Sequence, residues 1–375
     1  MFEHGYLLAD RYTLDKRIGF GGMGEVWLAT DNTLKRKVAV KVVHPHLVES
    51  QPDAVQILKQ EAQCGATLIG HPNVVATLDL LDAAGDSGSF YCLVMEYVNG
   101  MDLQRWLKHV STDVDAETQF RMNLLLAFQI TEGLEFAKRN EVLHRDIKPL
   151  NVFVSDFGIA KIGDFGISRF VDAVTRTHTM WNAMSPAYAA PEQWKGEKPT
   201  LETDIYQLGC TLYHMFTKEL PFRGENAFAL MNQHLNVTPK RATELNAKIP
   251  SKISDAIAVM LNKAPKDRGE LWKIHDAISE ELIGKYKLAI NLPDAPDDVL
   301  DIASKITDIT REAIRTNKPI TFPDCHEAIS EGVELALSGI LQFTLRKVGG
   351  PKTAKPKRST SQNGSTADSE AQATN

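Results

Sequence analysis

The stretch that decides the fold is His144-Arg145-Asp146-Ile147-Lys148-Pro149-Leu150-Asn151. It places a carboxylate, Asp146, a cation, Lys148, and an amide, Asn151, on one short loop. A second acidic residue follows in Asp164-Phe165-Gly166. Phosphoryl transfer needs a group that orients a hydroxyl, a cation that offsets phosphate charge, and oxygen ligands for Mg²⁺. The loop therefore points to phosphoryl-transfer chemistry.

The triplet Asp-Phe-Gly occurs twice, at 156–158 and at 164–166. Asp156 follows Asn151 by five residues, whereas Asp164 follows it by thirteen. Bringing a carboxylate back beside the loop requires a strand, a turn and a second strand, and only the later triplet leaves room for them. We therefore predict that Asp164 is the metal ligand and that Asp156 lies in an exposed turn.

Bulk composition is that of an ordinary globular protein. The 375 residues allow two or three domains, with 43% hydrophobic and 24% charged residues. The formal net charge of -6 provides no basic excess for binding nucleic acid. The four scattered cysteines predict free thiols in a reducing compartment. The N-terminus has no signal pattern, and the apolar run 335–345 is too short to span a bilayer, so we expect a cytoplasmic protein.

A glycine-rich stretch lies early in the chain, within a region whose alternating apolar runs predict strands and hairpins. Gly19-Phe20-Gly21-Gly22-Met23-Gly24-Glu25-Val26 fits the pattern G-x-G-x-x-G-x-V. Glycines allow backbone N–H groups to approach phosphate oxygens closely. A dinucleotide site or a flexible hairpin would also suit such a loop. A dinucleotide site needs a helix directly after the glycines, whereas residues 25–29 are typical of a strand.

Lys41 ends the predicted strand Val38-Ala39-Val40-Lys41. An isolated lysine in this position is usually a solvated residue at a sheet edge. The alternative is a lysine that contacts the α- and β-phosphates of a nucleotide, which requires a carboxylate partner. The helix predicted between Ser50 and Leu68 supplies Glu61, with Glu49 and Asp53 as competing partners.

The second part of the chain is predicted to be mainly helical. A long amphipathic helix over 120–138 leads into the loop 144–151, called the central loop below. Residues 204–216 are apolar nearly all round, as in a buried helix. Asp204 is predicted to brace the central loop. Glu192 is predicted to form a structural ion pair with Arg268.

In this order, the motifs resemble those of protein kinases, and the serine/threonine branch common in bacteria matches best. The resemblance runs from about Tyr12 to about Leu282. It implies an α+β, bilobal fold with a small β-rich N-lobe and a larger, mainly helical C-lobe. The expected divisions are an N-terminal segment, N-lobe, C-lobe, helical extension and disordered tail, at 1–11, 12–98, 99–282, 283–347 and 348–375.

The resemblance also implies ATP and Mg²⁺ and a role for each site residue. Asp146 would orient the substrate hydroxyl, Lys148 would stabilise the transferring phosphoryl group, and Asn151 and Asp164 would hold Mg²⁺. Met95 would gate the pocket, and the backbones of Glu96 and Val98 would bond the adenine. The full set of implied ATP-site residues is Gly19, Gly21, Gly24, Val26, Ala39, Lys41, Glu61, Met95, Glu96, Val98 and Phe153.

The polar segment between the second Asp-Phe-Gly triplet and Glu192 is expected to be a regulatory loop. Thr177 and Thr179 are the predicted phosphosites. Arg145 is a candidate for binding their phosphate, and it could equally bind a neighbouring carboxylate. Met184-Ser185 stands where the family usually has Gly-Thr, so peptide docking remains open. The expected partner is a protein with Ser/Thr hydroxyls. Two alternative functions stay open: a pseudokinase that serves as a scaffold, and a kinase that acts on small molecules. The chain could also form a homodimer through the N-lobe or the helical extension.

Overall fold

The computed structural model describes residues 2–21, 24–43, 54–85, 88–113, 115–165 and 186–284. Among the described residues, strands dominate up to Glu96 and helices dominate from Leu103 to Gly284. This division confirms the predicted α+β class, with a β-rich N-lobe and a mainly helical C-lobe. Residues 50–53 of the predicted helix, residues 166–185 of the predicted regulatory loop, and the predicted extension and tail from residue 285 onward lie outside the described residues.

A six-stranded antiparallel sheet forms the N-lobe, in the order β1-β2-β3-β4-β6-β5. Its strands are β1 Leu7–Leu8, β2 Tyr12–Gly21, β3 Gly24–Asp31, β4 Arg36–Val43, β5 Thr77–Gly85 and β6 Gly88–Glu96. One face packs a core that includes Leu14, Ala29, Val40 and Val94. The sequence predicts a turn-rich segment over 83–89, but β5 and β6 pair up to Gly85 and Gly88, so the turn is shorter.

One helix, α1 (Ala54–Ala66), accompanies this sheet and packs on β5. Leu58 and Ala62 are buried, with Leu58 against Tyr91 and Ala62 against Leu93. Their four-residue spacing places both side chains on the same helix face, as the sequence periodicity predicts. The helix therefore covers the sheet face on which Lys41 of β4 lies between neighbours Val26 and Leu93.

The C-lobe consists of helices packed around one hydrophobic core. They are α2 Leu103–Asp113, α3 Ala116–Arg139, α4 Pro191–Trp194, α5 Leu201–Thr217, α6 Ala227–Asn236, α7 Ala242–Leu245, α8 Ser251–Met260 and α9 Leu271–Gly284. The predicted all-round burial of α5 is observed, because Ile205, Leu208, Leu212 and Phe216 are all buried. A helix buried on every side is a fixed reference for the loops that pack on it.

A small sheet of β7 (Gly100–Asp102), β8 (Val152–Ser155) and β9 (Ala160–Ile162) lies where the two lobes meet. The turn between β8 and β9 carries the first Asp-Phe-Gly triplet, and Asp156 there is exposed, as predicted. Strand β9 also bonds the N-lobe, because Val75 N donates to Ile162 O at 2.9 Å and Ile162 N donates to Asn73 O at 2.8 Å.

Two further predictions, on the cysteines and on membrane spans, concern residues that the structure describes. Cys64, Cys92 and Cys210 are free thiols, as predicted. Within the ranges that the structure describes, no helix combines the length and apolar character needed to cross a membrane.

Candidate active site

Helix α5 holds the backbone of the central loop through Asp204. Asp204 accepts a hydrogen bond from His144 N at 2.8 Å and another from Arg145 N at 2.6 Å. Burial raises the pKa of Asp204, although the hydrogen bonds and charges of His144 and Arg145 oppose that effect. The predicted bracing role of this residue is therefore observed in the contacts.

Two glutamines complete this support. Gln207, one turn after Asp204 on α5, accepts from Ile147 N at 2.8 Å and donates to Arg145 O at 2.8 Å. Gln193 of α4 donates to the same Arg145 oxygen at 3.0 Å. Arg145 has φ +68, a left-handed conformation that costs free energy in a residue with a side chain. The four hydrogen bonds to Arg145 N and O and to Ile147 N hold it there.

His144 links the loop to the segment that carries Asp164. Its Nδ1 accepts from Asp146 N at 3.2 Å, so Nε2 carries the proton and donates to Gly163 O at 2.7 Å. The imidazole ring also meets the ring of Phe165 edge-on at 4.7 Å. Because His144 is fully buried, these contacts fix the spacing between the two motifs in a dry environment.

Asp146, Lys148 and Asn151 form one hydrogen-bonded group. Lys148 Nζ donates to Asp146 Oδ2 at 2.5 Å, and Asn151 Nδ2 donates to the same oxygen at 3.0 Å. Asn151 Nδ2 also donates to Asp146 O at 2.8 Å. The Asp146 carboxylate is therefore oriented by two donors and lies beside a cation, as a group that receives or directs a hydroxyl proton requires.

Asp164 and Lys41 are in direct contact across the two lobes. Lys41 Nζ lies 3.0 Å from Asp164 Oδ1. Burial acts to raise the pKa of Asp164, but the charge and hydrogen bond of Lys41, with His144 and Lys148, outweigh it and leave that pKa below its usual value. Asp164 has φ +59, so its backbone also adopts a left-handed conformation. The carboxylate is thus held ionised next to the loop 144–151.

The prediction that Glu61 partners Lys41 is not tested by these contacts. Glu61 lies in α1, whose backbone is described, but its side chain lies outside the described residues. The carboxylate that contacts Lys41 among the described side chains is Asp164.

The glycine-rich stretch forms the hairpin between β2 and β3. Gly19 pairs with Val26, and Gly21 pairs with Gly24; Gly22 and Met23 lie outside the described residues. Gly24 has φ +144, and a Cβ on it would lie 1.8 Å from Val42 O. Only glycine fits there, because the strand backbones approach too closely for any side chain.

The remaining predicted pocket residues flank the junction of the lobes. Ala39 on β4 is paired with Met95 on β6, and Glu96 N donates to Ala76 O at 2.9 Å. Val98 is half-buried in the connection that follows. Phe153 on β8 is half-buried, and its ring lies so close to Gly163 that a Cβ there would be 2.6 Å from Cε2. The adenine-binding roles of these residues stay predictions.

The donor set around the two acidic motifs fits Mg²⁺. Among the described residues there is no cluster of three or more His, Cys, Asp or Glu able to hold a metal. Mg²⁺ usually binds one or two protein oxygens together with phosphate oxygens and water. Asn151 Nδ2 faces two oxygens of Asp146, which leaves the lone pairs of Oδ1 for a cation. Gly163 N donates to Asn151 O at 2.8 Å, which places the chain before Asp164 beside Asn151.

Sequence reasoning missed Gln193 and Gln207. Gln207 is a polar residue in an otherwise apolar helix, three positions after Asp204, and this spacing puts both on one face. A polar residue in an apolar helix could have indicated this contact, but such residues occur in buried helices for many other reasons. Thr177, Thr179 and Met184-Ser185 lie outside the described residues.

Comparison with known proteins matches residues 12–280 to the protein kinase domain. The chain belongs to the protein kinase family. The serine/threonine-protein kinase PrkC of Bacillus subtilis is 33% identical over 266 residues, which cover 71% of this chain and 39% of PrkC. PknB of Mycobacterium leprae, also a serine/threonine-protein kinase, is 35% identical over 262 residues, covering 70% of this chain and 41% of PknB.

These relatives confirm the resemblance to bacterial serine/threonine kinases that the motifs predict. The chain spans about two fifths of the length of these curated relatives. A crystal structure of the Mycobacterium tuberculosis PknI kinase domain superposes with a TM-score of 0.57, covering 75% of this chain and 99% of that one. The identity is 22%, so this likeness shows the fold alone.

Proposed function

We propose that this protein transfers the γ-phosphoryl group of ATP to serine or threonine hydroxyls of other proteins. The observation that carries the proposal is the convergence of five side chains from three parts of the chain: Lys41, the loop 144–151, and Asp164. Asp146 is bonded to Lys148 and Asn151, and Asn151 is bonded through Gly163 to the segment of Asp164. Lys41 reaches this assembly from the other lobe.

In the proposed reaction, the hydroxyl oxygen of the substrate attacks the γ-phosphorus. The new O–P bond forms as the bond between that phosphorus and the β,γ-bridging oxygen breaks, and ADP leaves with the electron pair. The hydroxyl proton passes to the Asp146 carboxylate. Lys148, at 2.5 Å from that carboxylate, is near enough to offset charge on the phosphoryl oxygens.

Asn151 and Asp164 would hold Mg²⁺, which supplies charge neutralisation at the phosphates when bound. Lys41 orients the Asp164 carboxylate through their hydrogen bond. Its further proposed task is to bind the α- and β-phosphates of ATP. Positioning and electrostatics therefore provide most of the catalysis, since phosphoryl transfer requires little covalent chemistry from the protein.

The proposal also covers the regulation of the protein, its cellular location and its acceptor residue. We infer that phosphorylation of Thr177 or Thr179 activates the enzyme, with Arg145 as the phosphate-binding cation. A cytoplasmic location is proposed because ATP is supplied there. Lys148, two residues after Asp146, is the feature of the loop that favours serine or threonine over tyrosine as the acceptor.

The test is transfer of label from γ-labelled ATP to a generic protein substrate. D146N is expected to lower kcat about 10²–10⁴-fold, because the oriented carboxylate is lost. K41M is expected to lower kcat/KM about 10²–10³-fold through loss of one preorganised cation.

Matched controls separate chemistry from folding. D156N changes an exposed aspartate in the other Asp-Phe-Gly triplet and is expected to keep full activity. ATP binding by the unaltered protein without transfer would contradict the proposal in favour of a scaffold. Label found only on a small molecule would contradict the protein-substrate assignment.

A further inference from the structure

We propose that Lys161 is a positioning residue for adenine, acting through an ion pair with the side chain of Glu96. Lys161 Nζ lies 3.0 Å from Glu96 Oε1 and 3.1 Å from Glu96 Oε2. The two residues are 65 positions apart and belong to different lobes, Glu96 at the end of β6 and Lys161 in β9. The inference rests on the proposed function, since it assigns the adenine end of the same site.

The contact is more than a surface ion pair. Isolated exposed pairs usually contribute little, because water screens them and long side chains lose freedom. Here the Lys161 side chain is 16% exposed and the Glu96 side chain 33% exposed, and Lys161 reaches both carboxylate oxygens. Charge-assisted bonds that are shielded from water are stronger than exposed ones.

Glu96 is also bonded twice to Ala76, the residue before β5. Its Oε2 accepts a hydrogen bond from Ala76 N at 3.3 Å, and its own N donates to Ala76 O at 2.9 Å. The carboxylate therefore ties the end of β6 both to the strand beside it and to the C-lobe. Any backbone group of Glu96 that meets adenine is held by this arrangement.

Lys161 is itself a fixed anchor. The ends of β9 on either side of it bond to Asn73, because Asn73 Nδ2 donates to Ala160 O at 2.9 Å and Ile162 N donates to Asn73 O at 2.8 Å. Ala160 N also donates to Gln129 Oε1 of α3 at 2.7 Å. Through the bond to Gln129 of α3, a cation on this strand holds Glu96 relative to the C-lobe as well as to its own sheet.

Removing the Lys161 charge should therefore loosen the adenine end and leave the phosphate end intact. K161M keeps a chain of similar length without the charge, and K161Q is a second variant should K161M fold poorly. K161R retains the cation and can reach both oxygens. K252M serves as the matched control, since Lys252 forms an ion pair of 2.5 Å with Glu280 on the exposed surface of α8 and α9.

Binding is measured on the full chain with three probes: a non-hydrolysable ATP analogue, adenosine and inorganic tripolyphosphate. K161M and K161Q should weaken the ATP analogue and adenosine by the same factor, about five- to tenfold. Tripolyphosphate binding and kcat at saturating ATP should stay within about twofold, and K161R should stay near the unaltered protein.

A double-variant cycle tests the partner. E96Q combined with K161M should bind adenosine no more weakly than K161M alone, because the two changes remove one interaction. Unchanged adenosine binding in K161M, or an equal loss in K252M, would overturn the inference. If the unaltered protein binds adenosine but transfers no phosphoryl group, the proposed function fails while the binding comparison still decides the role of Lys161.

Discussion

Arg268 holds both carboxylate oxygens of Glu192, Nη1 to Oε1 and Nη2 to Oε2, each at 2.6 Å across 76 residues of sequence. Both side chains are almost fully buried, and Thr203 Oγ1 donates to Glu192 Oε1 at 2.6 Å. Arg268 also donates to the carbonyl oxygens of Asn262, Glu202 and Lys263. The predicted ion pair thus joins α4, next to the loop 144–151, to the segment before α9.

Removing the guanidinium should destabilise the protein strongly. R268L is expected to lower the free energy of unfolding by about 3–5 kcal/mol at pH 7, because it leaves Glu192 ionised, buried and unpaired. In the unaltered protein, burial acts to raise the pKa of Glu192, but Arg268 and Thr203 outweigh it and hold that pKa below 4.5. The pair's stabilisation is therefore present above pH 4.5 and is lost as the pH falls through the lowered pKa.

Urea unfolding at several pH values measures this effect. The deficit of R268L should narrow as the pH falls toward 4.5 and below it, because burial without Arg268 raises the pKa of Glu192, and the protonated side chain no longer buries a charge. The paired variant E192M with R268M should recover part of the stability, since no charge remains buried, although the carbonyl oxygens that Arg268 bonded lose their donor. A deficit that is the same at about pH 4 and pH 7 would argue against an uncompensated carboxylate.

The two Asp-Phe-Gly triplets should differ sharply in their importance. D164N is expected to lower kcat/KM about 10²-fold or more, because it weakens both the proposed metal site and the bond to Lys41. D156N should leave kcat/KM within about twofold, since Asp156 is exposed. Steady-state kinetics of both variants with ATP decide the point, and equal losses would show that the assignment is wrong.

The carboxylate of Asp204 should matter for rate more than for substrate affinity. D204N keeps one acceptor oxygen where two backbone N–H groups now donate, so one of His144 N and Arg145 N loses its partner. An unsatisfied buried donor costs about 1–3 kcal/mol. The loop would then relax, and kcat should fall about tenfold to a hundredfold with a smaller change in KM.

D204A provides the comparison, since it removes both acceptors. It should lower kcat further than D204N and should also lower the melting temperature more. Equal kcat values for D204N and the unaltered protein would show that the loop backbone does not depend on Asp204.

A methyl group at Gly24 should disrupt the hairpin over the site. G24A combines a positive φ with a Cβ that would lie 1.8 Å from Val42 O, so β3 and β4 must separate locally. We expect a loss of about 3 kcal/mol in the free energy of unfolding and a raised KM for ATP.

G158A isolates the contribution of backbone conformation. Gly158 has φ +75, but no atom lies within 4 Å of the place that a Cβ would take, so only the left-handed strain of about 1–2 kcal/mol applies. Thermal unfolding and ATP titration of both variants separate the two effects. A G24A protein as stable as G158A would contradict the steric argument.

Much of the site could be predicted from the sequence because its residues occur in short motifs. The loop 144–151 keeps Asp146, Lys148 and Asn151 close in sequence, so their proximity in space needed no long-range information. The choice of Asp164 over Asp156 came from chain length alone, and the observed hairpin of β8 and β9 has the strand-turn-strand form that the choice required.

Long-range partners were harder to predict. Gln207 and Ile147 are 60 residues apart, and Lys161 and Glu96 are 65 apart, so no local pattern links them. Each pair consists of common residues whose partner is chosen by tertiary packing. Asp204 could be predicted only because its place in the motif order was known. Gln207, on the same helix, belongs to no such motif and was missed.

The backbone bonds that orient Arg145 and Ile147 come from Asp204, Gln207 and Gln193, all in the C-lobe. Lys41 alone among the predicted catalytic cations comes from the N-lobe. An inhibitor wedged between the lobes would therefore separate Lys41 from Asp164 and leave Asp146 oriented as before. Such a compound would block the proposed phosphoryl transfer without disturbing the loop that carries Asp146.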